Sequence, residues 1–273
     1  MTFNRLRATV LIALMAASLL SPCAAQAAAS VFIDDLTTTE VSAALRAGTT
    51  TLIIPVGGTE QSGPHLALGK HNARVRVLAE RIAIQLGDAL VAPVVAYVPE
   101  GNITPPTEHM RFAGTISISD AAFKGLLLGA AQSFRQHGFT DILLIGDHGG
   151  YQSQLQAVAA SLNKSWAGTP ARAHFVSEFY SAAQTAYVEA LKSRGLTTAQ
   201  IGVHAGLADT ALLVATAPGM VKPDQFAAAF KAGKAGGTSG DPRAASAELG
   251  QLGVDAIVNQ SVSAIRRAVK APR

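Results

Sequence analysis

Apolar residues alternate along this chain between short uninterrupted runs and helical spacing. TLIIPV at 51–56, LVAPVV at 90–95, DILLIG at 141–146 and AHFVS at 173–177 are brief and rich in β-branched residues, the pattern of strands covered on both faces. Between them, 73–87 (ARVRVLAERIAIQLG) and 120–137 repeat apolar residues every three or four positions and end near Gly87 and Gly138, as helices commonly do. Further helices are expected from Leu155, beyond Asp209, and over 244–269. This order predicts an α/β fold, a three-layer sandwich in which a mostly parallel sheet is covered by helices on both faces. Two stretches break the pattern. Val98 to Gly114, with Pro99, Gly101, Pro105 and Pro106, reads as a loop over the site, and 232–243 (AGKAGGTSGDPR) lacks apolar anchors.

The N-terminus changes the count. MTFNRLR is basic, LRATVLIALMAASLLS follows as an apolar stretch, and Ala25-Gln26-Ala27 supplies small residues at a cleavage site, the layout of a signal peptide over residues 1–27. The mature chain, 28–273, is then expected to be one exported α/β domain, periplasmic or secreted and free of the membrane after cleavage. Cys23, the only cysteine, leaves with the signal, which excludes disulfides and cysteine nucleophiles. Loss of Arg5 and Arg7 takes the formal charge from +4 to +2. The remaining basic residues are scattered, so nucleic-acid binding is not expected.

Ligands in parallel sheets bind where loops leave the carboxyl ends of the strands, and three glycine-rich, histidine-bearing segments lie there. GGTEQSGPHLALGKHN (57–72) offers Glu60, His65 and His71 in a turn-rich stretch before a helix begins; a carboxylate and imidazoles on one loop suit a divalent cation. His65, beside Pro64, either meets the substrate or shapes the loop. GDHGGYQ (146–152) places His148 between glycines at a helix start, where a neutral imidazole is favoured; Gly149 and Tyr151 are candidates for the substrate pocket, and Asp147 for a supporting partner or helix cap. GVHAGLADTALLVA (202–215) puts His204 five residues before Asp209, so both can border one cavity. Glu108 and His109 are candidate pocket residues, while His137 and His174 read as structural.

These segments, in this order over residues about 50 to 215, resemble the creatininase (creatinine amidohydrolase) family. Its motifs G-x-x-E-Q-H-G-P-H-L-P-L-G-T-D, F-P-G-T-I-S-L, G-H-G-G and H-A-G-x-x-E-T are matched here by GGTEQSGPHLALGKH, FAGTISI, GDHGGY and HAGLADT. The resemblance implies a creatininase-like parallel-sheet α/β fold and hydrolysis of a non-peptide C–N bond. It also implies one or two divalent metals per chain (Zn, Mn or Fe) and a homo-oligomer, often a hexamer. By matched position, Glu60 and His148 keep metal ligands, and His204 is the residue that handles protons. The family's metal-binding histidine is Ser62 here, its bridging Asp is His71, and the last motif's Glu is Asp209. These departures turn the expectation away from creatinine itself.

The resulting expectation is a metal held by Glu60, His71, His148 and Asp209 that activates water to attack an amide carbon, with His204 passing a proton to the leaving nitrogen. The competing reading is a non-catalytic small-molecule-binding protein on the same scaffold. A serine hydrolase is disfavoured because no G-x-S-x-G elbow exists, and dinucleotide and P-loop signatures are absent.

Overall fold

A computed structural model describes residues 30–271. The proposed signal segment with Cys23 lies outside the described residues. Four strands, β1 (Thr51–Val56), β2 (Ala89–Val91), β3 (Asp141–Gly146) and β4 (Arg172–Phe175), form one parallel sheet in the order β2-β1-β3-β4. The helices are α1 (Thr38–Arg46), α2 (Lys70–Leu86), α3 (Asp120–Gln136), α4 (Gln152–Ser165), α5 (Ser177–Gln184), α6 (Ala186–Ser193), α7 (Thr198–Ile201), α8 (Leu207–Thr216), α9 (Phe226–Ala232) and α10 (Ala247–Lys270).

Every residue of β1 and β3 is buried, as central parallel strands require. Alternate side chains serve opposite layers. Ile53, Leu143 and Ile145 pack with Leu78 and Ile82 of α2 and Val262 of α10, whereas Leu52, Ile54, Ile142 and Leu144 pack with Phe123 of α3 and Leu155 of α4. The chain leaves β1 for β2 on one side and enters β3 on the other, so the strand order reverses between β1 and β3. That crevice is where open α/β sheets take ligands.

Three boundaries differ from those expected. The strand expected over 90–95 ends at Val91, because Pro93 has no N–H to donate; only an isolated bridge joins Val56 to Val95. The strand expected over 173–177 stops at Phe175, and Ser177 already opens α5. The third difference matters most: α2 starts at Lys70, directly after Gly69, and not at 73. His71 is therefore helical rather than looped. Lys70 and Arg74, four residues apart on one helix face, are both carried toward the crevice. Among the described residues, no helix is long and apolar enough to cross a membrane.

Candidate metal centre

Glu60 lies four residues past the end of β1, fixed by its own N–H to the Leu68 carbonyl (3.1 Å) and by the next N–H, of Gln61, to Thr115 Oγ1 (3.1 Å). His148 follows β3. Its N–H donates to the Tyr151 hydroxyl (3.1 Å), and its ring Nδ1 accepts from Gly150 N–H (3.3 Å). The proline-rich loop supplies the remaining groups. Glu100 is set by its N–H to Ser117 Oγ (3.0 Å), a hydroxyl that itself donates to the Gly101 carbonyl (2.6 Å), and His109 sits on the single turn Glu108–Arg111. Gly58, at φ 151°, must be glycine, since a Cβ there would fall 2.7 Å from Glu100 Oε1.

One donor atom from each of Glu60, Glu100, His109 and His148 lies within 4.8 Å of the others. Glu60 Oε2 is 3.0 Å from His109 Nε2 and 3.5 Å from His148 Nε2, and Glu100 Oε2 is 3.6 Å from His148 Nδ1. Both carboxylates are buried, yet Glu60 Oε2 and both oxygens of Glu100 have no hydrogen-bond partner. Such orphaned oxygens are costly unless a cation or proton meets them. Burial pushes Glu60 toward protonation, but Lys70 and His71 outweigh it and hold the carboxyl well below its ordinary range. Glu100 goes the other way, raised to about 9 by burial and by the negative charge of Glu60. Burial lowers His148 to about 3 and lowers His109 as well, which favours the neutral imidazoles. Two carboxylates and two neutral imidazoles form a donor set suited to Zn, Mn or Fe.

Behind this cluster runs a buried charge network. Arg74 bonds Asp147 through Nε (2.8 and 3.1 Å) and Asp209 through NH1 (2.9 Å). The Lys70 ammonium, wholly buried, lies 3.3 Å from Glu60 Oε1 and 3.2 Å from Asp209 Oδ2. His71 is held at both ring nitrogens, Nε2 by Glu60 (2.8 Å) and Nδ1 by Asp147 (2.6 Å). Two residues expected among the ligands are thus placed otherwise. His71 has both ring nitrogens against carboxylates, and Asp209 is occupied by Lys70, Arg74 and the Ala205 N–H (2.8 Å). Asp147 serves as a supporting partner, bonded to His71 and Arg74.

A cavity of about 130 Å³ adjoins the cluster, bordered by Lys70, His148, Gly149, Tyr180, His204 and Asp209 among others. His204 is positioned by an isolated bridge to Ser239, so the weak 232–243 segment finds its role in holding this histidine. Its Nε2 donates to the Gln61 carbonyl (3.0 Å). Because a carbonyl only accepts, the lone pair of the neutral ring falls on Nδ1, 3.7 Å from Glu60 Oε1. Burial, with Lys70, lowers His204 to about 4. The Gln61 amide nitrogen lies 3.2 Å from His109 Nδ1 and 3.3 Å from His204 Nε2.

Three expected pocket residues are placed away from the cavity. Tyr151 is fully buried, its hydroxyl donating to the carbonyls that end β1, Val56 (2.8 Å) and Gly57 (2.6 Å). His65 is also wholly buried, bonded through Nε2 to Thr210 Oγ1 (3.0 Å) and edge-on to Phe226. Glu108 points from the exposed start of its turn. His109, expected as pocket lining, joins the ligand cluster, and Gly149 borders the cavity. His137 caps α3, and His174 bonds Asp141 (2.9 Å). Glu100, Lys70 and Arg74 were missed by sequence reasoning. Their signal was weak: a lone acid in a proline-rich loop and two cations in an amphipathic helix.

A four-stranded parallel sheet with imidazoles and carboxylates converging at its topological switch defines the class, an α/β fold with a candidate metal centre at the carboxyl ends of its strands. The creatininase (creatinine amidohydrolase) profile matches residues 34–265, and the chain belongs to that family. It is 37% identical over 116 residues to the mycofactocin precursor peptide peptidase of Mycolicibacterium smegmatis, a stretch covering 41% of this chain and 44% of that protein. The alignment therefore spans less than half of that relative. Creatinine amidohydrolase of Pseudomonas putida is 25% identical over 256 residues, 87% of this chain and 96% of that one. Thermotoga maritima 3-dehydro-scyllo-inosose hydrolase is 31% identical over 99 residues, 36% of this chain and 30% of that one. Among solved structures, a creatininase superposes with TM-score 0.71 at 23% identity, covering 89% of this chain and all of that one. A manganese form gives 0.69 at 24% with the same coverage, and a zinc–zinc form 0.68 at 23%, covering 89% of this chain and 99% of that one.

Proposed function

We propose that the protein is a metal-dependent amidohydrolase that cleaves a non-peptide C–N bond, an amide or cyclic amide, in a small molecule. The observation that carries this reading is the convergence of Glu60, Glu100, His109 and His148 with three buried carboxylate oxygens among them that lack a hydrogen-bond partner. The names of the relatives support hydrolysis but share no substrate. The cavity, about 130 Å³, favours a compact one.

A divalent metal bound by these four residues would polarise the scissile carbonyl and lower the pKa of water beside it. The chain's own groups do the rest. Lys70 and His71 keep Glu60 ionised, so the centre always presents a carboxylate. His204, neutral near pH 7, takes the proton of the attacking water on the Nδ1 that faces Glu60, then returns it to the leaving nitrogen. Gln61 holds the ring by its carbonyl so that Nδ1 stays turned inward. The mature enzyme would act outside the cytoplasm after cleavage near Ala27, as a homo-oligomer of the kind the family resemblance suggests.

The test is a screen of lactams, ureas and small amides with mature protein reconstituted with zinc or manganese. Turnover should vanish on chelation. His204→Ala should keep its metal and lose about 10²- to 10⁴-fold in kcat. Undiminished turnover in that variant would remove His204 from the mechanism, and no hydrolysis of any C–N substrate by loaded protein would sink the reading.

A further inference from the structure

We infer that the centre takes one metal ion per chain, and that the Lys70 ammonium is a fixed cation standing where a second ion would otherwise sit. The inference rests on the metal-dependent reading above and deepens it. Its basis is the way the buried acids are divided. Asp147 is used by Arg74 and His71, Asp209 by Arg74, Lys70 and the Ala205 N–H, and Glu60 Oε1 by His71 and Lys70. In this group only Glu60 Oε2 and the two oxygens of Glu100 lack a hydrogen-bond partner, and Glu60 Oε2 and Glu100 Oε2 lie on the side of His109 and His148. The acids therefore leave one cation position open, not two.

The two positions at which the family motif carries further ligands give the same answer. Ser62 brings a short hydroxyl instead of an imidazole, and both nitrogens of His71 are already engaged. Lys70 stands where that motif has threonine. Its Nζ bridges Glu60 and Asp209 with the side chain wholly buried, and it borders the cavity. An ammonium supplies positive charge beside the substrate with no coordination shell to complete. A second dication brought there would face both this amine and the Arg74 guanidinium, with like charges meeting in a poorly screened interior.

The experiment is metal analysis of the mature chain after reconstitution with excess zinc and desalting, together with anomalous diffraction at the zinc edge. One zinc per chain is expected, with a single peak bounded by Glu60, Glu100, His109 and His148. Asp209→Asn should retain that one zinc, whereas Glu100→Gln should bind it at least tenfold more weakly. Two zincs per chain, or a peak beside Asp209 with Lys70 displaced, overturns the inference and leaves the hydrolase reading standing. Zinc lost in Asp209→Asn but kept in Glu100→Gln overturns it as well. If wild-type protein takes up neither zinc nor manganese, the hydrolase reading falls and the inference with it. The diffraction result decides the matter even where a variant fails to fold.

Discussion

Replacing Glu100 with glutamine should raise the stability of the metal-free protein and reduce what metal adds to it. In the metal-free protein Glu100 is 2% exposed, neither carboxyl oxygen has a partner, and Glu60 lies close by. A buried polar group left unsatisfied costs about 1–3 kcal/mol. The proton linkage gives a similar size. With the folded-state pKa raised from 4.5 to about 9, the folded protein at pH 7 must hold a proton that the unfolded chain has released, a cost of about 3 kcal/mol at ~1.36 kcal/mol per pH unit. Since the folded pKa is the higher one, this cost is absent below about pH 4.5 and grows as pH rises toward 9. Glu100→Gln keeps the shape without the titration. In EDTA at pH 7 it should therefore melt roughly 6–12 °C above wild type, at about 2–4 °C per kcal/mol for a chain of this size, and the gap should close by pH 4.5. With zinc at about a thousand times its dissociation constant, wild type gains about 4 kcal/mol. The variant, short of a ligand, gains less, about 2.7 kcal/mol at tenfold weaker binding, so the gap in melting temperature narrows by about half. Thermal melts followed by fluorescence in EDTA and in zinc, at pH 4.5 and 7, are the assay. A variant that melts below wild type in EDTA, or that gains as much from zinc, would refute the placement of Glu100.

Three further outcomes follow from the same geometry. Arg74→Met leaves Asp147 and Asp209 buried without their guanidinium and should cost about 3–5 kcal/mol in urea unfolding; a loss under about 1 kcal/mol would show the network is not desolvated. Gly149→Ala sets a Cβ 2.5 Å from the Tyr180 hydroxyl, the far end of a mobile side chain, so the phenol must swing from the cavity. About ten- to hundredfold should be lost from kcat/KM with the melting temperature nearly unchanged; equal falls in both would make Gly149 a folding residue only. Arg74 holds the Asp147 carboxyl below its ordinary range against burial, and Lys70 with Arg74 does so for Asp209. These depressed folded-state values give stability that is present above about pH 3.9 and lost as pH falls further. Acid unfolding of the metal-free protein should accordingly steepen below pH 4, and less so in Asp209→Asn.

Much of this was legible in one dimension because burial on both faces leaves a simple trace. A covered parallel strand must be apolar throughout, so β1 and β3 were readable to the residue, whereas β2 was overextended through Pro93, where the side chains still look like a strand but the ladder lacks a donor. At the site, the segments that leave strand ends were readable because glycines mark where backbone must pass close to a neighbour. What spacing could not supply was the start of α2. Moving it three residues earlier turned His71 from a loop group into a helical one and brought Lys70 and Arg74 into the interior. Cations at such positions ordinarily face water. Glu100 was hidden for a related reason: an acid in a proline-rich loop is ordinarily solvated, and only the fold of 98–114 over the crevice buries it.

On the proposed reading, which acids would bind a metal is decided by the cations that reach them first. Glu60, Glu100, Asp147 and Asp209 are alike in chemistry, and all crowd one crevice. Arg74 and Lys70 reach Asp147 and Asp209 through rigid helical geometry, and an acid already bonded to a guanidinium or ammonium gains little by exchanging it for a metal that must first shed water. Glu100 stands beyond the reach of α2, carried by the loop on the other side of His148, and Glu60 is shared, one oxygen turned to each side. The position of α2 thus selects the ligands as surely as their own chemistry does. A substitution that shifted its first turn would reassign the acids without altering any of them.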